Sequence, residues 1–329
     1  MRKSNLAILI FSVCALSLCD MDLFAQQPEA KCAQIKYSAT DISSESYRLD
    51  RIEGQAVYAS PSQKWERGSA NGVCAILFNR KNGELAASRT TEENGQFEFP
   101  NIAPGEYVLI AFAGSLQKLT IPIQITPAQN VSKPQRLLLH LRDQEDQRKS
   151  YVTPVTNLAL RKELLEVVAE DQQIRNKMIK GGMDHASKEI LARIEEIGSR
   201  NTRWMRSIIK EYGFPDAKLV GWDGTEAAFI LIQHAEHSFQ KELLPLMQKE
   251  FRAGALSGPN YALFIDRVLV EDGKPQIYGL KAKPFDEWKA GDPVLYPIED
   301  EANVDKRRAE VGLSSLAEYK EFLKKMYHP

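Results

Sequence analysis

The spacing of the apolar residues changes once along this chain, and that change constrains the fold more than any single motif. From residue 47 to about 141, apolar residues come in short alternating runs separated by turn residues; from Leu158 onward they recur three and four apart. Alternation puts side chains on opposite faces of a strand, while three-to-four spacing gathers them on one face of a helix. A chain of 329 residues has room for both kinds of layer, at about 150 residues per domain. The expectation is two domains: an all-β sandwich at 45–141, a polar linker at 142–157, and an α+β domain at 158–329 with helices packed around an antiparallel hairpin.

The alternating runs lie at 54–58, 73–78, 96–99, 107–113 and 117–125, with turns at 80–83, 92–95 and 103–105. Strands at this spacing, joined by Asn-Gly and Pro-Gly turns, predict a small sandwich. Gly95 permits the positive φ of a hairpin turn, and Phe97 and Phe99 point to one face. Residues 94–107, NGQFEFPNIAPGEY, resemble the G-x-F-x-F-x-x-(I/L)-x-P-G-x-Y signature of the carboxypeptidase-regulatory-like, prealbumin-type β-sandwich. The resemblance implies a spacer or binding module without catalytic residues of its own.

The first 25 residues have a basic start (Arg2, Lys3), an apolar run from Leu6 to Leu18 and a small residue at Ala25. That order predicts a secretory signal peptide over 1–25, cleaved after Ala25. The protein is then exported, to the periplasm or beyond. Lipid anchoring at Cys19 is disfavoured, because Leu18 is bulky where a small residue is wanted. No second apolar stretch is long enough to span a membrane. Lys plus Arg number 43 and Asp plus Glu 44, so no basic excess argues for nucleic acid or an anionic membrane surface. Of four cysteines, Cys14 and Cys19 fall in the leader, leaving Cys32 and Cys74. An oxidising compartment allows them to pair; alternatively Cys74, in the run VCAILF, is a small buried apolar residue.

In the second half, helices are predicted over 158–178, 188–197 and 201–212. A further helix covers 229–247, FILIQHAEHSFQKELLPLM, with Pro245 bending or ending it. Residues 261–270 read as a strand, 271–274 as a turn and 276–280 as the return strand. Ser315-Leu316-Ala317-Glu318 is a capping box opening the last helix. Asp171 and Arg175, four apart at the edge of an apolar face, read as an intrahelical ion pair.

These segments resemble a bacterial domain family with no assigned function. Its pattern runs D-Q-x-x-R, Q-H-A, F-Q, D-R-V, Q-x-Y-G-T-Q, P-I-x-D and R-R-x-x-x-G-L. The matching residues are Asp171, Gln172 and Arg175; Gln233, His234, Ala235, Phe239 and Gln240; Asp266, Arg267 and Val268; Gln276, Tyr278 and Gly279; Pro297, Ile298 and Asp300; and Arg307, Arg308, Gly312 and Leu313. One departure stands out, Leu280-Lys281 in place of Thr-Gln. The resemblance implies a shared fold and a shared polar cluster, and supplies no activity.

His234 is a candidate general base, oriented by Asp266 or Asp300; the alternative is a helix histidine bonded to a loop. Gln233, Gln240, Arg267, Tyr278 and Arg308 are candidate ligand-binding residues. His234 and His237 lack the third and fourth ligands that a metal needs, so no metal or cofactor is expected. No G-x-S-x-G elbow, no cysteine beyond residue 74 and no glycine-rich phosphate loop occurs. The reading is an exported cell-envelope binding or structural module, its partner an unidentified ligand or envelope protein. The competing reading is a hydrolase-like enzyme using His234 with Asp266 or Asp300.

Overall fold

The computed structural model describes residues 32, 46–59, 68–92, 94–114, 116–127, 136–180, 187–289 and 291–327. The leader, Cys19 and the Gly181-Gly182 pair lie outside them. The described residues fall into two compact units, one within 20–163 and 216–225, the other within 164–215 and 226–329.

The first unit is a two-sheet sandwich. Its strands are β1 (Tyr47–Leu49), β2 (Ile52–Ala59), β3 (Gly68–Ser69), β4 (Cys74–Asn79), β5 (Leu85–Thr90), β6 (Gln96–Phe99), β7 (Gly105–Phe112), β8 (Leu119–Ile125), β9 (Arg136–Arg142) and β10 (Tyr151–Val155). One sheet runs β1-β8-β7-β4-β5; the other runs β10-β9-β2-β3, with β6 also on β2. The register explains the core. Leu77 pairs with Leu109 and Leu109 with Ile121, while Ala56 pairs with Leu139 in the other sheet. All join one buried apolar cluster with Phe97 and Phe99. Burying a large aliphatic side chain contributes about 1.5–3 kcal/mol, so this interior is the main stabilising term of the unit.

The signature residues act as their chemistry requires. Gly95 has φ 70°, and a Cβ there would sit 2.3 Å from the Ala56 carbonyl oxygen. The Tyr107 hydroxyl donates to the Ala103 carbonyl at 2.9 Å, closing the Pro104-Gly105 turn. Cys32 and Cys74 form a disulfide with a Cα–Cα distance of 5.5 Å. Residues 142–157 contain β10, which pairs antiparallel with β9. On the outer face of that sheet, Val57, Leu138 and Val155 pack with Trp222.

The second region is helical: α1 (Leu158–Lys180), α2 (Lys188–Tyr212), α3 (Ala217–Gln233), α4 (His237–Ala253), α5 (Gly258–Glu271), α6 (Val304–Glu310) and α7 (Leu316–Tyr327). The capping box forms as predicted, the Ser315 amide donating to Glu318 at 2.9 Å and the Glu318 amide to Ser315 Oγ at 3.3 Å.

The two-domain order of sandwich then helix-rich domain stands, but the hairpin inside the second domain is corrected. Residues 261–270 lie in α5, and 276–281 form an irregular loop whose β contacts are isolated bridges such as Gln276–Ile298. Nearly every side of α5 is buried, so its apolar run shows no helical period and imitates a buried strand. The decisive local signal is the start. Ser257 Oγ accepts from the Asn260 amide, with proline in the first turn, a helix-opening arrangement. Two further boundaries move. The helices predicted at 188–197 and 201–212 are one helix, because Ile194, Ile197, Asn201, Met205 and Ile208 form a continuous buried stripe. The helix predicted over 229–247 is two, broken at 234–236, while α4 runs through Pro245.

Candidate functional site

The break between α3 and α4 is built by side chains. A helix end leaves its last carbonyls without intrahelical donors. Gln240, on the first turn of α4, supplies them: its amide nitrogen donates to the carbonyls of Ile232, Gln233 and Ala235 at 3.0, 2.9 and 3.2 Å. Thr202 of α2 accepts the Glu236 amide at 3.1 Å. Gln233 and His234 are thereby fixed at the α3 terminus, facing α1 and α5.

His234 Nδ1 lies 2.5 Å from Asp171 Oδ2. The same carboxylate receives Arg175 in bidentate fashion, Nε at 3.0 Å and Nη2 at 3.2 Å. Burial pushes His234 down to about 4, so the ring is neutral at pH 7 despite its carboxylate neighbour. For Asp171, burial acts to raise the pKa, but the His234 hydrogen bond and the Arg175 charge outweigh it and hold the carboxyl below its usual range. On the other side, Arg267 Nη1 donates to Gln233 Oε1 at 3.3 Å, and Arg267 Nε is 3.3 Å from Glu271. Burial, opposed by Glu271, brings Arg267 down to about 10. Asp171, Arg175, Gln233, His234 and Arg267 are all buried. They form a polar ring drawn from α1, α3 and α5. Among the described residues, Arg175 Nη1 and Gln233 Nε2 are buried donors with no hydrogen-bond partner.

The other candidates belong to a separate network that organises the loop 276–281. Asp266 accepts the amides of Ile277 at 2.7 Å, Tyr278 at 2.9 Å and Leu280 at 2.9 Å. Burial pushes its carboxyl up to about 6, against the pull of these three donors. Gln276 accepts the Lys281 amide at 2.8 Å and donates to the Lys281 and Tyr296 carbonyls. Arg308 donates to the carbonyls of Ser314 and Tyr278, both at 2.6 Å, and lies over the Tyr319 ring. Arg307 donates to the carbonyls of Ile277 and Glu299, and Tyr319 to that of Leu280. Gly279 has φ 71° and a Cβ there would meet Leu316 at 2.8 Å. Tyr278 takes part through its backbone; its phenol is pushed up to about 12 by burial. Asp300 is exposed, accepting from Asn303 and 3.7 Å from Arg307.

The carboxylate that meets His234 is therefore Asp171, not Asp266 or Asp300. The Asp171–Arg175 intrahelical pair forms as expected, and His234 joins it as a third partner. A charged residue at the edge of an apolar face was the available signal. His237 faces elsewhere, 2.7 Å from Asp272 and 3.1 Å from Glu271. Among the described residues no group of three His, Cys, Asp or Glu side chains could hold a metal, and no helix is long and apolar enough to cross a membrane.

A model described as a family of unknown function, DUF6624, matches residues 158–328. The chain belongs to the DUF6624 family. A second model, BOS complex subunit NOMO1-like, second beta sandwich domain, matches residues 52–139. No curated protein matches the chain. Both halves of the resemblance read from sequence are thus matched. Within the DUF6624 region the motif residues divide by role: D-Q-x-x-R and Q-H-A build the polar ring, whereas Q-x-Y-G and R-R build the loop network. D-R-V serves both, Asp266 in the loop and Arg267 in the ring. Lys281, where the resemblance leads one to expect Gln, is buried, and burial together with the Arg267 charge holds its ammonium well below the usual range.

Proposed function

We propose that this protein is an exported binding module of the cell envelope, and that the polar ring of its DUF6624 domain is the binding site. The observation that carries the reading is the pair of buried, unpartnered donors on Arg175 and Gln233. A buried donor left unsatisfied costs about 1–3 kcal/mol, and a group that returns an acceptor recovers it. The loop network around Asp266 is closed by its own hydrogen bonds, which fits a scaffold and not a reacting centre. Export is supported by the leader pattern and by the Cys32–Cys74 disulfide, a bond that persists in oxidising compartments. Fractionation of expressing cells with N-terminal sequencing tests this part. The expected product is extracytoplasmic and begins near Gln26; a cytoplasmic product retaining Met1 overturns it.

A second reading rests on the 2.5 Å contact between His234 and Asp171. A carboxylate that orients a neutral imidazole is the arrangement of a general base, here with Asp171 in place of Asp266 or Asp300. A pKa near 4 makes His234 a weak base at neutral pH, which favours binding over hydrolysis. Chromogenic ester, phosphoester and glycoside substrates decide between the two. Turnover by the wild type that disappears in His234→Gln establishes the hydrolase; no turnover with either protein is the result expected of a binding module.

A further inference from the structure

We infer that the polar ring takes an anionic oxygen ligand, of which a small carboxylate is the simplest case, held between Arg175 Nη1 and Gln233 Nε2. This rests on reading the ring as a binding site. Arg175 Nη1 and Gln233 Nε2 are both donors, so a group held by this pair must accept hydrogen bonds.

Their orientation is fixed from behind. Arg175 has two of its nitrogens on Asp171, leaving Nη1 as the remaining edge of the fork. Gln233 presents its oxygen to Arg267. An arginine only donates, so that contact defines which end of the amide is nitrogen and leaves Nε2 as the end that does not meet Arg267.

Charge separates an anion from a neutral acceptor. Arg175 meets the Asp171 carboxylate that His234 also meets, and Arg267 meets the neighbouring Gln233, so two guanidinium groups flank the end of α3 in a buried setting; burial first, and then the Arg175 charge, lower Arg267. Asp171 is shared between Arg175 and His234. Glu271 is shared between Arg267 and His237. Asp266 has its oxygens on backbone amides of the loop. Lys281 adds a further buried basic group, its ammonium disfavoured first by burial and then by the Arg267 charge. An anion placed between the guanidiniums relieves this repulsion, and charge-assisted bonds to arginine are about twice as strong as neutral ones.

Acetate and acetamide, equal in shape and different in charge, are the test. Each is titrated into the full-length mature protein at constant ionic strength set with chloride, with the arginine and glutamine side-chain N–H resonances followed by NMR. Acetate is expected to bind saturably and to shift the Arg175 and Gln233 signals. Gln233→Glu, which keeps shape and the Arg267 contact but adds a negative charge, is expected to weaken acetate binding by at least about tenfold, and acetamide is not expected to bind. Arg175→Lys, which loses the fork, is expected to weaken acetate similarly. Acetamide binding as well as acetate, with the same variant dependence, overturns the anionic assignment and leaves the binding site standing. Acetate acting equally on wild type and both variants is a surface or salt effect and overturns the anionic assignment. If neither probe shifts these signals, the anionic assignment is overturned; cross-peaks from the Arg175 and Gln233 N–H groups to water then show the donors hydrated, and the binding-site reading falls with it. A Gln233→Glu protein that does not fold leaves Arg175→Lys and the wild-type acetate–acetamide contrast to decide.

Discussion

In the sandwich, the inward-facing residues are Leu77, Leu109 and Ile121 from one sheet and Ala56, Leu137 and Leu139 from the other; at the same depth the helical domain holds Asp171, Arg175, Gln233, Asp266 and Arg267. Apolar contacts are short-range and non-directional, so the sandwich spreads its stability over many exchangeable neighbours. Buried polar groups must each meet a particular partner at a particular angle, so the helical domain depends, beside its own apolar core of residues such as Phe229, Phe239, Leu243 and Phe264, on a few specific bonds. The contrast predicts where single substitutions hurt and which conditions reach each region.

The largest effect is expected at Asp266. Asp266→Ala leaves the amides of Ile277, Tyr278 and Leu280 buried without their acceptor. At about 1–3 kcal/mol per orphaned donor, the loss is on the order of 5 kcal/mol by denaturant unfolding followed through helical signal. A loss under about 1 kcal/mol would show that the loop network is decorative. Reduction of Cys32–Cys74 comes next. The bridge closes a separation of 42 residues, and constraining a loop of that length is worth about 4 kcal/mol in the chain-entropy account. Hydrogen exchange should accelerate in β4 and β7 on reduction while α2 and α5 keep their protection. Equal acceleration in both regions would erase the distinction drawn between them.

Acid should act on the polar interior through His234. Its folded-state pKa, about 4, lies below the ordinary 6.5, so the unfolded chain takes up the proton first. Its contribution is present above pH 6.5 and is lost as pH falls toward 4, by about 3 kcal/mol. Asp266, raised to about 6, works in the opposite sense, its contribution lost as pH rises from about 4 to 6. Comparing wild type with His234→Gln across pH 4–7 cancels the Asp266 contribution. The wild type should lose more stability than the variant as pH falls; parallel curves would place a charged His234 in the folded protein. The smallest effect belongs to the sandwich. Tyr107→Phe removes one hydrogen bond to Ala103 and should cost about 1 kcal/mol by thermal unfolding, since the ring keeps its apolar packing. A cost above about 3 kcal/mol would mean that this turn is as bond-dependent as the helical interior.

The sandwich was legible from sequence because its signals are local. Period-two alternation, the positive φ of Gly95 and the Pro104-Gly105 turn depend on neighbours within a few residues. The capping box at Ser315 was legible for the same reason. The motif series pointed to most of the polar residues in the second domain, yet it did not divide them into a ring and a loop network. That division was decided by tertiary contacts. His234 finds Asp171 across 63 residues, Arg267 reaches Gln233 across 34, and Arg308 reaches the Tyr278 carbonyl across 30. The strand expected at 261–270 became α5 because burial on nearly every side removes the polar face by which a helix shows its period. Local spacing determines which face of an element is apolar; only packing determines which distant side chain a buried charge meets, because an unpaired charge in the interior is too costly to leave where local structure alone would put it.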